Sequence, residues 1–506
     1  MFYSNGIVIA GKDGEVIENG TGLNPGWAAD AFAKYGYPCS QGMIILPLPE
    51  IDSVFYLFHI RVVPMMTDRL FYSIVDMRLN EGKGKVIEKN QTLIADTVCY
   101  GQLSAVKHAN GRDWWIVIPE NSTNGYYRML LTPNGVEGPW KQNIGPVMNF
   151  YDFSGSATFS PDGAKYVRYD ITNDLNIFDF NRCTGLLSTD IHIVITDAAD
   201  EHNGGGGVAI SPNSRVLYVS SYTMAYQFDL QAADIEQSRI VVAEYDGFES
   251  NLPTRFYMPA LAPDGRIYIS STNSVNVFHR INHPDSLGLA CDFAQHSVSV
   301  PTRIVFGMPH YPNYRLGPLD GSSCDTLGLD NHPLAGFTWE VEDTLHPLHV
   351  TFTDNSFYEP SEWLWNFGDG QGSTEVNPKH IFPTLDTFSV CLTVSNQYDS
   401  DTFCRLIDLD TTSTVVSITT PWYRETLQVF PNPASTMLHL SLDLPAMKNT
   451  TLSLYDLTGR MVQEWKVQSG QQENMFSLEG VTDGMYLWIL ASEGRRVTAG
   501  KIIVAK

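Results

Sequence analysis

"FSPDGAKYVRYD", residues 159–170, recurs along the chain as "ISPNSRVLYVSS" at 210–221 and as "LAPDGRIYISST" at 261–272. Each copy has a proline in third place, then a short turn, then a strand-like run that contains a tyrosine. The three prolines, Pro161, Pro212 and Pro263, are 51 residues apart. Equal spacing of this kind indicates one structural unit that the chain uses several times.

Further copies of this unit lie upstream. One copy is "HANGRDWWIVI" at 108–118, in which Gly111 lies 52 residues before Gly163. Another is "EIDSVFYLFHI" at 50–60, which continues the series. A second strand-like run follows each of the three later copies, as in "LNIFDF", "AYQFDL" and "VNVFHR". A period of about 40 to 50 residues with about four short strands is typical of a β-propeller blade. We therefore expect residues 1–310 to form a β-propeller of about six or seven blades.

The first residues, "MFYSNGIVIAG", match only the paired strands of one more copy and lack its leading strands. They also lack the basic segment and long apolar run of a secretory signal. We therefore expect the natural protein to begin upstream of Met1.

The overall composition limits the classes of function. The chain has 506 residues, which is more than one hydrophobic core usually organises, so about two to four domains are expected. With 32 basic and 56 acidic residues its formal charge is -24, which argues against nucleic acid and anionic membranes as partners. Strand-type alternation dominates, helical periodicity is almost absent, and no apolar run approaches the length of a membrane span. The predicted fold class is all-β.

A second module is predicted over residues 336–410, after a linker at 311–335 that is rich in proline, glycine and aspartate. Six or seven short strand-like runs in about 75 residues are typical of a β-sandwich. The central stretch, "EWLWNFGDG", has aromatic residues spaced by two, which puts them on one face of a strand and predicts a core. Its two glycines and intervening aspartate predict a tight turn. These motif residues are Trp363, Trp365, Phe367, Gly368, Asp369 and Gly370.

This module resembles a polycystic kidney disease (PKD) domain, through "WNFGDG", "NPKHIF" and "DTFSVCLTVSN". The resemblance implies an immunoglobulin-like sandwich in which the motif is chiefly structural. It also implies extracellular display or spacing, with weak contacts to glycans or proteins. Calcium binding at Asp369 and its acidic neighbours stays open, because carboxylate oxygens suit that ion.

The seven cysteines do not form the dense pattern of a small disulfide-rich protein. Cys391 and Cys404 lie in two strand-like runs joined by a polar turn, where opposed positions can come within bonding range. We weigh a disulfide between them against two buried thiols. Cys291 with Cys324 is a second candidate pair.

The C-terminal part is predicted as a linker at 411–426 and a small β-sandwich at 427–506. Pro431-Asn432-Pro433 cannot continue a central strand and is expected at an edge turn. The block resembles the C-terminal sorting domain of the type IX (Por) secretion system of Bacteroidota, through "VFPNPAS", "LYDLTGR", "GVTDGMYLWIL" and "GKIIVAK". The matching positions include Pro431, Asn432, Pro433, Gly459, Gly484, Lys501 and Lys506. The resemblance implies the type IX machinery as a partner and a secreted or outer-surface location, with the mature protein either released or attached to lipopolysaccharide after sorting.

Motifs for chemistry are sparse. Four consecutive glycines at 204–207 could suggest a phosphate cradle, but a strand-like run follows them rather than a helix, so a crowded inner strand is favoured. His202 beside Asp200 and Glu201 is expected to be a solvated loop residue rather than a metal ligand. We assign no catalytic residue, metal ligand or cofactor.

The predicted function is therefore non-enzymatic binding of an extracellular glycan or protein, or adhesion, by the propeller and the PKD-like module. The alternative is a propeller enzyme, a glycan hydrolase or lyase, with its site at the mouth of the propeller. Two carboxylates about 5 to 10 Å apart in an axial cleft would favour the enzyme. Glycine and scattered polar residues around the axis would favour binding.

Overall fold

The computed structural model describes residues 2–34, 36–64, 66–149, 155–195, 205–271, 274–304, 308–341, 346–409, 427–430, 434–442, 450–455, 461–468, 473–482, 484–492 and 495–504. The chain forms two compact units, Met1–Leu409 and Asp410–Lys506. Both are built from strands, so the all-β prediction is confirmed.

The first unit begins with a seven-stranded sheet, made of three N-terminal strands and the four strands of blade 1, and continues with four blades of four strands each. The three strands are β1 (Phe2–Ser4), β2 (Val8–Gly11) and β3 (Val16–Thr21), followed by the short helix α1 (Trp27–Ala31). Blade 1 consists of β4 (Met43–Leu48), β5 (Ile51–Val63), β6 (Met66–Asp76) and β7 (Lys85–Ile94). Blade 2 consists of β8 (Ser104–Lys107), β9 (Trp114–Pro119), β10 (Gly125–Thr132) and β11 (Gly135–Asn143). Blade 3 consists of β12 (Gly155–Phe159), β13 (Lys165–Asp170), β14 (Asp174–Asn181) and β15 (Leu186–Ile193).

Blades 4 and 5 are separated by a small hairpin. Blade 4 consists of β16 (Gly206–Ile210), β17 (Val216–Ser221), β18 (Met224–Asp229) and β19 (Ile240–Glu244). The hairpin is β20 (Glu249–Ser250) with β21 (Leu252–Pro253). Blade 5 consists of β22 (Pro259–Leu261), β23 (Ile267–Ile269), β24 (Val275–Ile281) and β25 (Phe293–Ile304). Single turns of 3-10 helix lie at Glu236–Ser238 and Gly288–Cys291, and among the described residues no helix is long and apolar enough to cross a membrane.

The four four-stranded sheets, together with β4 to β7 of the seven-stranded sheet, are the blades of a propeller. Within each blade consecutive strands pair antiparallel, and the first strands of successive blades contact one another, β8 with β12, β12 with β16 and β16 with β22. The first strands of blades 2 to 5 therefore lie next to one another, as the inner strands of a propeller do. The described residues form five blades, fewer than the six or seven predicted, for a local reason. The first sequence copy forms β1 to β3, which join the outer strand of blade 1 through the parallel pair Glu18 and Lys85 instead of forming a separate four-stranded sheet.

Successive blades share hydrophobic cores because alternate residues of one strand face opposite neighbours. On β17, Leu217 and Val219 pack towards blade 3, whereas Val216 and Tyr218 pack towards blade 5. Similar clusters join blade 1 to blade 2 and blade 2 to blade 3. Burial on both faces explains why strands such as β9, "WWIVIP", are buried along their whole length.

Gly206 and Gly207 lie on the inner strand β16, as the sequence favoured. A Cβ atom at Gly206 would lie 2.0 Å from the carbonyl oxygen of Ser220, and one at Gly207 would lie 2.6 Å from Oγ of Ser156. Close packing of neighbouring strands therefore requires glycine here. Gly204 and His202 lie outside the described residues.

The PKD-like module forms two facing sheets. Its strands are β26 (Phe337–Val341), β27 (His349–Asp354), β28 (Glu362–Asn366), β29 (Gly372–Ser373), β30 (Lys379–Ile381), β31 (Thr387–Ser395) and β32 (Ser400–Asp408). One sheet has the order β26-β27-β30 and the other β29-β28-β31-β32. Phe352, Trp365, Phe367 and Leu392 lie in the core between them.

The second unit is also a small two-sheet domain. Its strands are β33 (Leu427–Phe430), β34 (Met437–Leu442), β35 (Thr450–Tyr455), β36 (Met461–Lys466), β37 (Glu473–Ser477), β38 (Gly484–Ser492) and β39 (Arg495–Val504). The sheets have the orders β33-β34-β37 and β36-β35-β38-β39. Leu440, Leu452, Leu490 and Ile502 are among the residues of its core.

Candidate functional site

Residues 308–318, here called the axial segment, cross from blade to blade after the last strand of blade 5. The Nε2–H group of His310 donates to the carbonyl of Leu103 at 2.6 Å, at the start of the inner strand of blade 2. The Tyr311 hydroxyl donates to the carbonyl of Leu261 in blade 5 at 3.1 Å. The Tyr314 hydroxyl donates to the carbonyl of Ile45 in blade 1 at 2.7 Å, and the Asn313 amide donates to the carbonyl of Pro161 in blade 3 at 2.9 Å. This segment therefore bonds to the inner rims of four blades.

A pocket lies where blade 5 meets blade 1, and we call this place the seam. The pocket is lined by Ser40, Gln41, Met258, Pro259, Ala260, Met308, Pro309 and His310. Gln41 also reaches across the axis, because its Oε1 accepts a hydrogen bond from the backbone N–H of Ala157 at 2.8 Å. The lining of this pocket, as far as the structure describes it, contains no carboxylate.

Burial sets the charge state of the axial segment. Burial lowers the pKa of His310 to about 4, although its hydrogen bond to the Leu103 carbonyl acts in the opposite direction. The ring is therefore neutral at physiological pH. Burial, and next the neighbouring Tyr311, raise the pKa of Tyr314 to about 12, so its hydroxyl stays protonated and can donate.

The chain that follows the axial segment is covalently attached to blade 3. Leu316 packs into the core between blades 2 and 3, and the guanidinium of buried Arg182 donates to the carbonyl of Gly317. Cys324 then forms a disulfide with Cys183, in the turn after β14. The predicted pairing of Cys324 with Cys291 is wrong, because Cys291 is a free thiol in the core between blades 4 and 5.

The PKD-like module docks on the propeller within the same unit. Arg266 of blade 5 forms an ion pair with Glu340 on β26. The guanidinium of Arg315, beside the axial segment, lies 4.3 Å from the ring centre of Phe357. Residues 311–335, predicted as a linker, thus make specific contacts with both domains.

The PKD motif lies inside its own module. Trp365 and Phe367 are buried, and the Trp365 indole N–H donates to the carbonyl of Glu375 at 2.8 Å. Gly368 has a φ of 81°, and a Cβ atom there would lie 2.6 Å from the carbonyl oxygen of Ser389. Gly370 has a φ of 91°, as a tight turn requires. The motif thus builds the core and its turn.

Asp369 is held by internal hydrogen bonds. Its carboxylate accepts from the backbone N–H of Gln371 at 2.9 Å and from Nε2 of His380 at 2.8 Å. Burial opposes ionisation of this carboxyl group, but these hydrogen bonds outweigh it and lower its pKa. Within the described part of the chain, no group of three or more histidine, cysteine, aspartate or glutamate residues is placed to hold a metal ion.

The two cysteines of the predicted hairpin are bonded. Cys391 on β31 lies directly opposite Cys404 on β32, and their sulfur atoms form a disulfide. Antiparallel register thus brings together residues that are 13 positions apart.

Two of the seven predicted sorting-signal residues lie among the described residues. Gly484 begins β38 and Lys501 lies in β39. Pro431, Asn432, Pro433, Gly459 and Lys506 lie outside the described residues.

The sequence did not reveal the role of the axial segment, because its prolines, glycine and asparagine are typical of a linker. Two tyrosines in "HYPNYRLGP" were the available signal, since exposed linkers seldom need aromatic residues. Their partners are backbone carbonyls, however, which leave no side-chain pattern in the sequence.

The fold and its modules define the class as an exported protein with a propeller, a PKD sandwich and a sorting domain. The family model of the secretion system C-terminal sorting domain matches residues 428–505. The PKD domain model matches residues 333–408. The sorting domain indicates a secreted or cell-surface protein and implies contact with the secretion machinery.

Among curated proteins, the chain is similar to the pre-pro-metalloprotease PrtV of Vibrio cholerae, with 28% identity over 141 residues. The match covers 28% of this chain and 13% of the length of that relative. Among solved structures, the PKD1 domain of the same metalloprotease has 35% identity over 16% of this chain and 98% of that domain, with a TM-score of 0.15. A putative 6-phosphogluconolactonase from Bacteroides uniformis has 14% identity, covers 53% of this chain and 86% of its own, and has a TM-score of 0.30.

Proposed function

We propose that this protein is exported by the type IX secretion system of a Bacteroidota cell and acts outside the cell as a non-enzymatic binding protein. The propeller carries the recognition surface for a glycan or a protein, and the PKD module displays it. After sorting, the protein is released or attached to lipopolysaccharide at the outer surface.

The axial segment is the observation that carries this proposal. In a propeller the central channel is the place where side chains from several blades can converge on one small substrate. Here His310, Tyr311, Asn313 and Tyr314 use their polar groups to bond to four blades. Because these side chains already bond to the blades, we place recognition on the loops between blades.

The docked PKD module supports display rather than catalysis. Arg266 with Glu340 and Arg315 with Phe357 fix the module against the propeller, and the Cys183–Cys324 disulfide ties the connecting segment to blade 3. A fixed module presents the propeller in one orientation, which suits a binding protein anchored at one end.

The test uses the purified full chain on an array of glycans and extracellular proteins, with a parallel assay for new reducing ends or unsaturated products. We expect saturable binding to a subset of the array and no product release. Product release from a bound glycan would favour the alternative, a propeller hydrolase or lyase. Absence of binding to every arrayed ligand would contradict the proposal.

A further inference from the structure

The connection between blades 4 and 5 carries an additional structural element. The hairpin β20–β21, residues 249–253, belongs to neither blade, and among the described connections between blades no other forms a sheet of its own. Insertions of this kind on a rigid scaffold are common places for binding residues. The side chains around this hairpin are therefore candidates for a recognition surface.

Five side chains from separate segments meet beside this hairpin, and we call them the aromatic platform: Tyr222, Tyr245, Phe248, Arg255 and His296. The rings of Phe248 and His296 stack with centroids 4.0 Å apart and an angle of 25°. The guanidinium of Arg255 lies 4.6 Å from the ring centre of Tyr222 and 5.9 Å from that of Tyr245. It also donates to the Tyr222 hydroxyl at 2.8 Å.

The backbone in and beside the platform has an unusual conformation at three residues. Tyr222, Asn251 and His296 have φ values of 68°, 68° and 37°, which residues with side chains rarely adopt. The strand hydrogen bond from Phe256 N–H to the Tyr222 carbonyl holds the first of these, and the bond from His296 N–H to Nδ1 of His279 holds the last. Strain of this kind collects at functional sites, where the surrounding structure maintains it.

Phe248 is the most exposed aromatic side chain of the platform, at 41%. His296 stacks on it, and the Phe248 backbone is fixed by the bond from its N–H to Asp246 and by the bond from the Tyr245 hydroxyl to its carbonyl. The ring is therefore held in place while much of it remains in contact with water. A rigid exposed aromatic ring beside hydroxyl and guanidinium donors can stack on the C–H face of a sugar and bond its hydroxyl groups.

The charges around the platform select among sugars. Arg255 is its cation, whereas Asp246, Glu244 and Glu249 lie on the adjoining segment 244–249, and Asp246 bonds His296 at 3.0 Å. With the chain at a formal charge of -24, an anionic sugar would be repelled.

We infer that the aromatic platform binds a neutral pyranose unit of an extracellular polysaccharide, with the sugar ring on Phe248 and the sugar hydroxyls at Arg255 and the Tyr222 hydroxyl. This inference rests on the proposed binding function and names the ligand class and its site.

The test is affinity gel electrophoresis and calorimetry of the full chain with soluble neutral polysaccharides, namely a β-1,3-glucan, a xyloglucan and a galactomannan, and with alginate as the anionic probe. We expect binding to at least one neutral polymer and none to alginate. Phe248→Ala should weaken that binding about tenfold or more, as loss of a central stacking contact does. Phe248→Tyr should retain it within about threefold, because the ring is kept.

The matched control is Tyr3→Ala, which removes an exposed aromatic ring in β1, away from the platform. It should bind as the unchanged protein does. If a neutral polysaccharide binds equally well to the Phe248→Ala protein, the platform is the wrong site and the proposed binding function stands. If no neutral polysaccharide binds, the ligand class is wrong, and the protein part of the array then decides on the proposed function.

Discussion

Two kinds of junction hold the propeller together, and they differ in chemistry. Successive blades from the first to the fifth join through buried apolar clusters. At the seam between blades 5 and 1 the described residues form no such cluster, since the face of blade 1 away from blade 2 packs on β1 to β3. There Tyr311 bonds to blade 5 and Tyr314 to blade 1. Repetition thus builds the apolar interfaces, whereas the seam depends on a segment outside the repeat.

Phe178→Ala tests the apolar side of this comparison and should have the largest effect. Phe178 is fully buried between blades 2 and 3, with its ring 5.4 Å from Tyr126 and 6.3 Å from Tyr166. The cavity should lower the free energy of unfolding by about 3 to 5 kcal/mol. Urea unfolding followed by fluorescence measures the loss, and Phe178→Leu should lose less. An effect no larger than that of the exposed Tyr3→Ala would contradict the packing described here.

The double variant Cys183→Ser/Cys324→Ser releases the chain that follows the axial segment. The disulfide spans 141 residues, so its loss should cost about 2 to 4 kcal/mol, mainly through the entropy of the unfolded chain. The matched variant Cys391→Ser/Cys404→Ser opens a span of 13 residues and should cost less. Unfolding of both proteins under oxidising conditions measures the difference. The reverse order of the two losses would show that Cys183–Cys324 does not brace the propeller.

Acidification should destabilise the propeller through His310, which lines the pocket at the seam and bonds to Leu103 at blade 2. The pKa of His310 is lowered from 6.5 to about 4. Between these two pH values the unfolded chain binds a proton on this ring, whereas the folded protein does not. Stability should therefore fall as the pH drops from about 6.5 to 4, by about 1 to 3 kcal/mol for this group. His310→Gln keeps a donor for the Leu103 carbonyl. It should reduce the dependence of the free energy of unfolding on pH, as measured by unfolding curves across this range. Part of the slope should remain, because burial also lowers the pKa of His59 to about 3 and of His279 to about 4.

His332→Gln is the control for this measurement, since its side chain is 62% exposed. Its pH profile should match that of the unchanged protein. An unaltered slope in His310→Gln would mean that the seam does not sense protons.

Tyr311→Phe and Tyr314→Phe remove single hydrogen bonds across the seam and should have the smallest effects. Each should cost about 0.5 to 1.5 kcal/mol, the usual net value of one such bond. Tyr3→Phe, on an exposed tyrosine, should cost nothing measurable. Losses equal to that of Phe178→Ala would mean that the seam is as strongly packed as the other interfaces.

The PKD module was largely predictable because its motif acts locally. Alternation put Trp365 and Phe367 on one face, and the glycines supplied the positive φ angles of the turn. The Cys391–Cys404 disulfide follows from the register of one hairpin. The sequence missed the partner of Asp369, since His380 lies on another strand and in the other sheet.

The propeller was predictable as a type of fold but not in its number of blades. Each repeat specifies strands and turns that could pack against any neighbouring copy. The repeats therefore leave open whether the first copy forms a separate blade or extends blade 1. The pairing of Cys324 was missed for a related reason, because Cys183 reaches it only after the axial segment has packed.

By itself, the sequence determined the all-β class, the repeated blades, the PKD core and the C-terminal sorting domain, because each depends on residues close together along the chain. The tertiary structure alone decided the number of described blades, the bonds of the axial segment, the Cys183–Cys324 bond and the aromatic platform. These features join residues tens to hundreds of positions apart, often through backbone carbonyls, and such contacts form only when the chain has folded around them.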